Sequence, residues 1–107
     1  MSDFENILNE IKVKIELISK KHFEKYTQDA VSDGLKLISK YQDDLAQWTE
    51  ELMEGKMTKA EFEFLLKQKQ DISELETLNQ KKLPEIRLQR FHEDILDSIA
   101  RLARKYS

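Results

Sequence analysis

Two histidines, His22 and His92, are the side chains of this sequence best suited to metal binding or proton transfer near neutral pH, since it contains no cysteine. A di-iron or di-manganese centre in a helical bundle needs a glutamate three residues before its histidine ligands. Ser19 and Gln89 stand at those places, and no His-Glu-x-x-His zinc motif occurs. The sequence therefore predicts neither a bound metal nor any other cofactor.

The two histidines have different predicted surroundings. His22 continues an apolar seam over residues 4–18, so we expect its ring to bond a backbone carbonyl at a helix end. A pH-sensitive contact at a helix junction is the alternative. His92 precedes Glu93 and Asp94 and is predicted to be a solvated residue.

The sequence also lacks the patterns of covalent and acid–base catalysis. There is no cysteine nucleophile, and the only two glycines, Gly34 and Gly55, are too far apart to form a phosphate-binding loop. Neighbouring acids such as Glu50 and Glu51 diverge on a helix, so they form a solvated face rather than an acid–base pair. We therefore expect that the protein is not an enzyme.

Aromatic residues on regular apolar seams are the first candidates for binding. Tyr41 and Trp48 lie seven residues apart, a spacing that favours a core position over a ligand cleft. Trp48 is also a candidate anchor for a protein interface, because Trp and Tyr dominate binding hot spots. Phe62, Phe91 and Ile95 lie on similar seams and complete the candidate core or interface set.

The C-terminal segment is the part of the chain with an excess of positive charge, although the net charge of the whole chain is −3. The candidate basic surface consists of Arg87, Arg90, Arg101 and Arg104. A helix of this kind could bind RNA or DNA, or lie on an anionic membrane surface. Three acids between these arginines dilute the patch, so nucleic acid and membrane are predicted to be minor alternatives.

The elements that must position these residues are helices, and the sequence predicts an all-α protein. Apolar spacing places helices at about 3–27, 31–54, 59–82 and 85–106, in one domain. We expect these four segments to form an antiparallel helical bundle with coiled-coil-like packing. Two long helices in a kinked hairpin are the alternative.

Capping signals mark two helix starts. Ser2 and Glu5 predict a capping box at the beginning of the first helix. Gly55 suits a helix C-terminus, and Thr58 with Glu61 predicts a second capping box. These signals together predict a tight turn at 55–58.

Three further features decide how the helices pack. Gly34 falls on the seam of the second helix, where it permits close helix approach or marks a kink or helix end. Pro84 fits as the first residue of the last helix. Val13 and Leu17 form a second stripe on the first helix, which predicts that this helix packs against neighbours on two sides.

The predicted function is that of a non-enzymatic structural or interaction module. Such a module would self-associate, as a homo-oligomer, or dock helices of a protein partner through its apolar seams. The chain has no run of apolar residues long enough to span a membrane, and a cytoplasmic location is expected. The residues predicted to pack are Ile11, Ile15, Ile38, Tyr41, Leu45, Trp48, Phe62, Leu65, Phe91, Ile95 and Ile99.

Overall fold

The computed structural model describes residues 3–106, and no strand occurs in this part of the chain. Its helices are α1 (Asp3–His22), α2 (Thr27–Met53), α3 (Lys59–Lys67), α4 (Glu76–Asn79) and α5 (Glu85–Tyr106). Two short 3₁₀ turns, Glu24–Tyr26 and Ile72–Glu74, precede α2 and α4. The predicted all-α class is confirmed.

The chain leaves α1 at Phe23, whose side chain is fully buried. The Phe23 ring packs edge-to-face on the ring of Phe91, with 5.2 Å between the centroids. The backbone of Phe23 has φ −136° and ψ 66°, outside the helical region. α1 therefore ends at His22 rather than near residue 27. The predicted capping box at its start involves Ser2, which lies outside the described residues.

Gly34 lies inside α2, where this helix packs on α1. A Cβ atom added to Gly34 would lie 2.8 Å from Cγ2 of Ile15, closer than two carbon atoms can pack. The prediction of close helix approach is confirmed. The alternative of a helix end at Gly34 is wrong, because α2 begins at Thr27 and continues to Met53.

The turn between α2 and α3 has the predicted caps. Gly55 has a φ of +76°, the left-handed conformation that favours glycine after a helix. The Thr58 hydroxyl accepts a hydrogen bond from the Glu61 backbone N–H at 3.1 Å, and the Glu61 carboxylate accepts one from the Thr58 N–H at 3.2 Å. The predicted turn at 55–58 and its capping box are confirmed.

The third predicted helix, 59–82, is wrong, because α3 ends at Lys67. The chain then forms the 3₁₀ turn Ile72–Glu74 and the short helix α4. A fully buried carboxylate on α2, that of Asp33, determines the new start at α4. It accepts hydrogen bonds from the backbone N–H groups of Thr77, at 3.2 Å, and Leu78, at 2.8 Å. An acid from another helix thus supplies the N-terminal cap that the local sequence lacks.

We call residues 68–83 the connecting segment, and α2 holds it at a second place. The buried Tyr41 hydroxyl donates hydrogen bonds toward the Lys69 carbonyl, at 3.0 Å, and the Glu74 carboxylate. Burial and this carboxylate raise the pKa of Tyr41. Lys40 pairs with the same carboxylate at 3.0 Å. The hairpin alternative would require one kinked helix over 59–106, and this is wrong because the helix is interrupted between α3 and α4 and again before α5.

The hairpin of two long helices is excluded by size. The described residues measure 42 × 26 × 19 Å, whereas a helix of about 50 residues would be about 75 Å long. α1 and α3 each pack on α2 and α5. α1 and α5 run antiparallel, since Glu10 pairs with Lys105 at 3.3 Å and His22 bonds Asp94 at 2.6 Å.

The core follows the predicted seams with few exceptions. Of the predicted packing residues, Trp48 and Leu65 are only partly buried and the others are buried. α1 has the two predicted neighbours, α2 and α5, but the prediction that Val13 and Leu17 form one of its packing faces is wrong, because each is 60% exposed. α2 and α5 both pack against the seam that contains Ile15, so no described element covers the Val13 and Leu17 face.

Candidate interaction site

A surface groove follows the line where α1 and α5 pack side by side. It consists of two depressions of about 310 and 340 Å³, and Lys14, Ser98 and Arg101 line both of them. On α1 the lining extends from Glu10 to Lys21, about three turns or 16 Å of helix. We call this feature the α1–α5 groove. Its length suits a helix better than a small molecule.

Apolar side chains lie on the α1 side of this groove. Leu17 lines it directly, and Val13 lies one turn earlier on the same helix. Both are largely exposed, and neither belongs to the core. Sequence reasoning assigned them to a buried stripe, because periodicity reports which residues share a face and not which face a neighbour covers.

The groove contains cations without an internal partner. Neither Lys14 nor Arg101 forms an ion pair with any residue that the structure describes. Among the acids that line it, Asp94 pairs with Lys21 at 3.7 Å, while Asp97 has no ion pair within residues 3–106. The middle of the groove therefore favours an anionic group on whatever binds there.

The four predicted basic residues, Arg87, Arg90, Arg101 and Arg104, all lie on α5. Arg87 donates a hydrogen bond to the carbonyl of His22, and its guanidinium lies 4.9 Å from the centre of the Phe23 ring. Arg104 pairs with Glu63 at 2.8 Å. These two arginines join α5 to its neighbours, so the four do not form one free basic face.

The predicted aromatic candidates are largely internal. Phe62, Phe91 and Ile95 are buried. The Lys69 ammonium lies 5.6 Å from the centre of the Tyr41 ring and 5.7 Å from that of Trp48, and it pairs with Asp44 at 3.0 Å. An internal cation therefore lies beside both rings, where it would compete with a base or ligand for these aromatic faces.

The prediction for His92 is wrong, and so is the expectation that His22 bonds a carbonyl. His92 is fully buried rather than solvated, and neither ring nitrogen forms a hydrogen bond with another described residue. Burial lowers its pKa, which the nearby acids Glu74 and Asp71 partly oppose. His22 bonds the Asp94 carboxylate rather than a carbonyl and so connects α1 to α5. The acids that follow His92 in the sequence suggested a solvated position. Adjacent residues on a helix face different directions, so they do not report the burial of His92.

The described residues contain neither a metal-binding group of side chains nor a helix that could span a membrane. Within residues 3–106, no group of three or more His, Asp or Glu side chains is arranged to hold a metal ion. None of the helices in this range combines the length and apolar character needed to cross a membrane.

Comparisons with known proteins identify no relative of this chain. No family model matches the sequence, and no curated protein or solved structure matches it either.

Proposed function

We propose that this chain is a non-enzymatic interaction module that binds an amphipathic helix in the α1–α5 groove. The observation that carries the proposal is the exposure of Val13 and Leu17, 60% each, beside a groove whose cations Lys14 and Arg101 have no ion pair within residues 3–106. Adjacent exposed apolar residues rimmed by charge are typical of protein interaction sites. A cytoplasmic location belongs to the same proposal.

Apolar burial would supply most of the binding free energy. A partner side chain packed on Leu17 and Val13 would remove both from water, at roughly 25 cal/mol per Å² of apolar surface. A helix placed along the groove would present such side chains every three or four residues, the spacing used in helix-in-groove recognition. The expected occupant therefore carries one apolar stripe about three turns long.

Charge would orient the bound helix. Lys14 on α1 and Arg101 on α5 lie on the two sides of the groove, and neither forms an ion pair with a described residue. Acids on either side of the partner's apolar stripe would pair with them, which raises the association rate and disfavours basic partners. The proposed partner is thus an apolar helix flanked by aspartate or glutamate.

Nucleic acid and membrane surfaces fit the same residues less well. Two of the four predicted arginines, Arg87 and Arg104, are already bonded within the chain. Asp94 and Asp97 lie in the groove beside the remaining cations and would repel phosphate. A protein helix can place single carboxylates against Lys14 and Arg101 and keep them away from these acids, whereas a nucleic acid carries a negative charge at every phosphate.

The proposal is tested by titrating two synthetic peptides into the ¹⁵N-labelled full chain. Each has about 14 residues and leucines at helical spacing, flanked by glutamates in one peptide and by lysines in the other. The acidic peptide should shift the amide resonances of Lys14, Leu17, Ser98 and Arg101, with a Kd on the order of 0.1 mM. The basic peptide should bind at least about tenfold more weakly.

A matched pair of variants provides the control. Leu17→Ser should abolish the shifts, whereas Leu35→Ser should leave them unchanged, because the partly exposed Leu35 lies on α2, outside the groove. Equal binding of the two peptides, or shifts spread over other surfaces, would disprove the proposal.

A further inference from the structure

A second exposed apolar surface lies on α3. Phe64 is 61% exposed, and with Ala60, Glu61 and Leu65 it lines a depression of about 320 Å³. The core face of α3 is a different one, since its buried residues are Phe62 and Leu66. We call this second surface the α3 patch.

The α3 patch combines the apolar and acidic character that the proposed function requires of a partner helix, over a shorter stripe than the groove can hold. Ala60 and Phe64 are four residues apart and form a short apolar stripe. Glu61 and Glu63 lie close to that stripe. One oxygen of Glu61 accepts the Thr58 N–H, and the other has no partner among the described residues. This second oxygen can accept a hydrogen bond from a lysine of another molecule.

The groove and the patch cannot meet within one molecule. α1 and α3 each pack on α2 and α5, and the groove and the patch share no lining residue. Val13 and Leu17 are exposed on α1, whereas Phe64 is exposed on α3. A second copy of the chain can bring the two surfaces together.

We propose, resting on the proposed function above, that α3 of one copy docks in the α1–α5 groove of the next. Phe64 packs on Leu17 and Val13, and the free Glu61 oxygen pairs with Lys14. Such a contact is heterologous, because each copy contributes a different surface. After the first contact one copy still has an unoccupied groove and the other an unoccupied patch, so further copies can extend the assembly.

A symmetric dimer through α1 alone is disfavoured by charge. In an antiparallel pair of identical helices, each flank of the contact meets the same flank of the other copy. Lys14 of each copy would face Lys14 of the other, and Glu16 would face Glu16. The α3 patch instead offers Glu61 to Lys14.

The contact is small, so the assembly should be reversible. The three apolar side chains and their neighbours would bury an area on the order of a few hundred Å² per partner, below the roughly 800 Å² per partner of a standard stable interface. The mean mass should therefore rise with concentration without levelling at twice the 12.7 kDa of one chain.

The test is light scattering of the full chain between about 10 µM and about 1 mM, combined with a mixing experiment. Phe64→Glu removes the patch and Leu17→Glu removes the groove, so each variant alone should remain monomeric. An equimolar mixture should form a 1:1 dimer and nothing larger, because only one functional pair of surfaces remains. Ile86→Glu, at a 53% exposed residue outside both surfaces, should assemble like the unmodified chain.

Several results would overturn this inference. A chain that stays at 12.7 kDa over the whole range does not self-associate. An assembly that survives either variant uses other surfaces, and a mixture that stays monomeric indicates a symmetric contact. Circular dichroism of each variant establishes that it is folded. If the acidic peptide still binds the groove while the chain remains monomeric, the proposed function stands and only its self-docking form fails.

Discussion

The connecting segment and the outer face of α1 depart from the usual distribution of side chains in opposite ways. The connecting segment is held by polar groups that are buried, Asp33 and Tyr41, and it packs near the buried His92. The outer face of α1 exposes two apolar residues, Val13 and Leu17, that have no role in the core. The first region should therefore govern stability and the second should govern binding.

The largest expected effect comes from Asp33→Ala, which removes both acceptors that cap α4. Two backbone N–H groups lose a charged partner, and that of Leu78 is buried, so we expect a loss of about 3 kcal/mol in the free energy of unfolding. Urea denaturation followed by circular dichroism measures it. Asp43→Ala, at an exposed position of α2, should change the stability by less than about 0.5 kcal/mol.

If Asp33→Ala costs no more than this control, the connecting segment does not depend on the buried carboxylate. The conclusion that the connecting segment governs stability would then be wrong.

A smaller effect on the free energy of unfolding, which depends on pH, is expected from His92. Burial lowers its pKa below the ordinary value of 6.5, so the unfolded chain binds more protons there as the solution is acidified. The contribution of the neutral ring is complete above about pH 6.5 and is lost progressively as the pH falls from there toward the lowered pKa. Denaturation of the unmodified chain and of His92→Leu between about pH 8 and pH 5 measures this difference.

The unmodified chain should lose stability relative to His92→Leu on acidification. A difference that stays constant over this range would contradict the assignment of His92 as a buried neutral imidazole.

The smallest expected effect on stability comes from Leu17→Ser. This side chain is already largely in water, so the free energy of unfolding should change by less than about 1 kcal/mol, most of it from helix propensity. The same urea experiment measures it, with Ile15→Ser on the buried seam of α1 as the destabilising control. A large loss for Leu17→Ser would mean that the outer face of α1 supports the fold and is not a free binding surface.

The sequence predicted well wherever the determining interactions are local. Thr58 and Glu61 bond each other across three residues, and Gly55 adopts its left-handed conformation without help from another helix. The apolar seams likewise identified most of the core, because helical periodicity follows from backbone geometry alone. The proposed groove could not be found in this way, since Leu17 on α1 and Arg101 on α5 are far apart in the chain.

By itself, the sequence determined the helical class, the turn at 55–58 and the residues that share each apolar face. Tertiary structure decided which of those faces is covered, and so left Val13 and Leu17 exposed. It also decided where the third predicted helix ends, because the cap for α4 comes from Asp33, over forty residues away in the chain. The physical reason is common to both: burial and hydrogen bonding depend on neighbours in space, which no local pattern of residue types specifies.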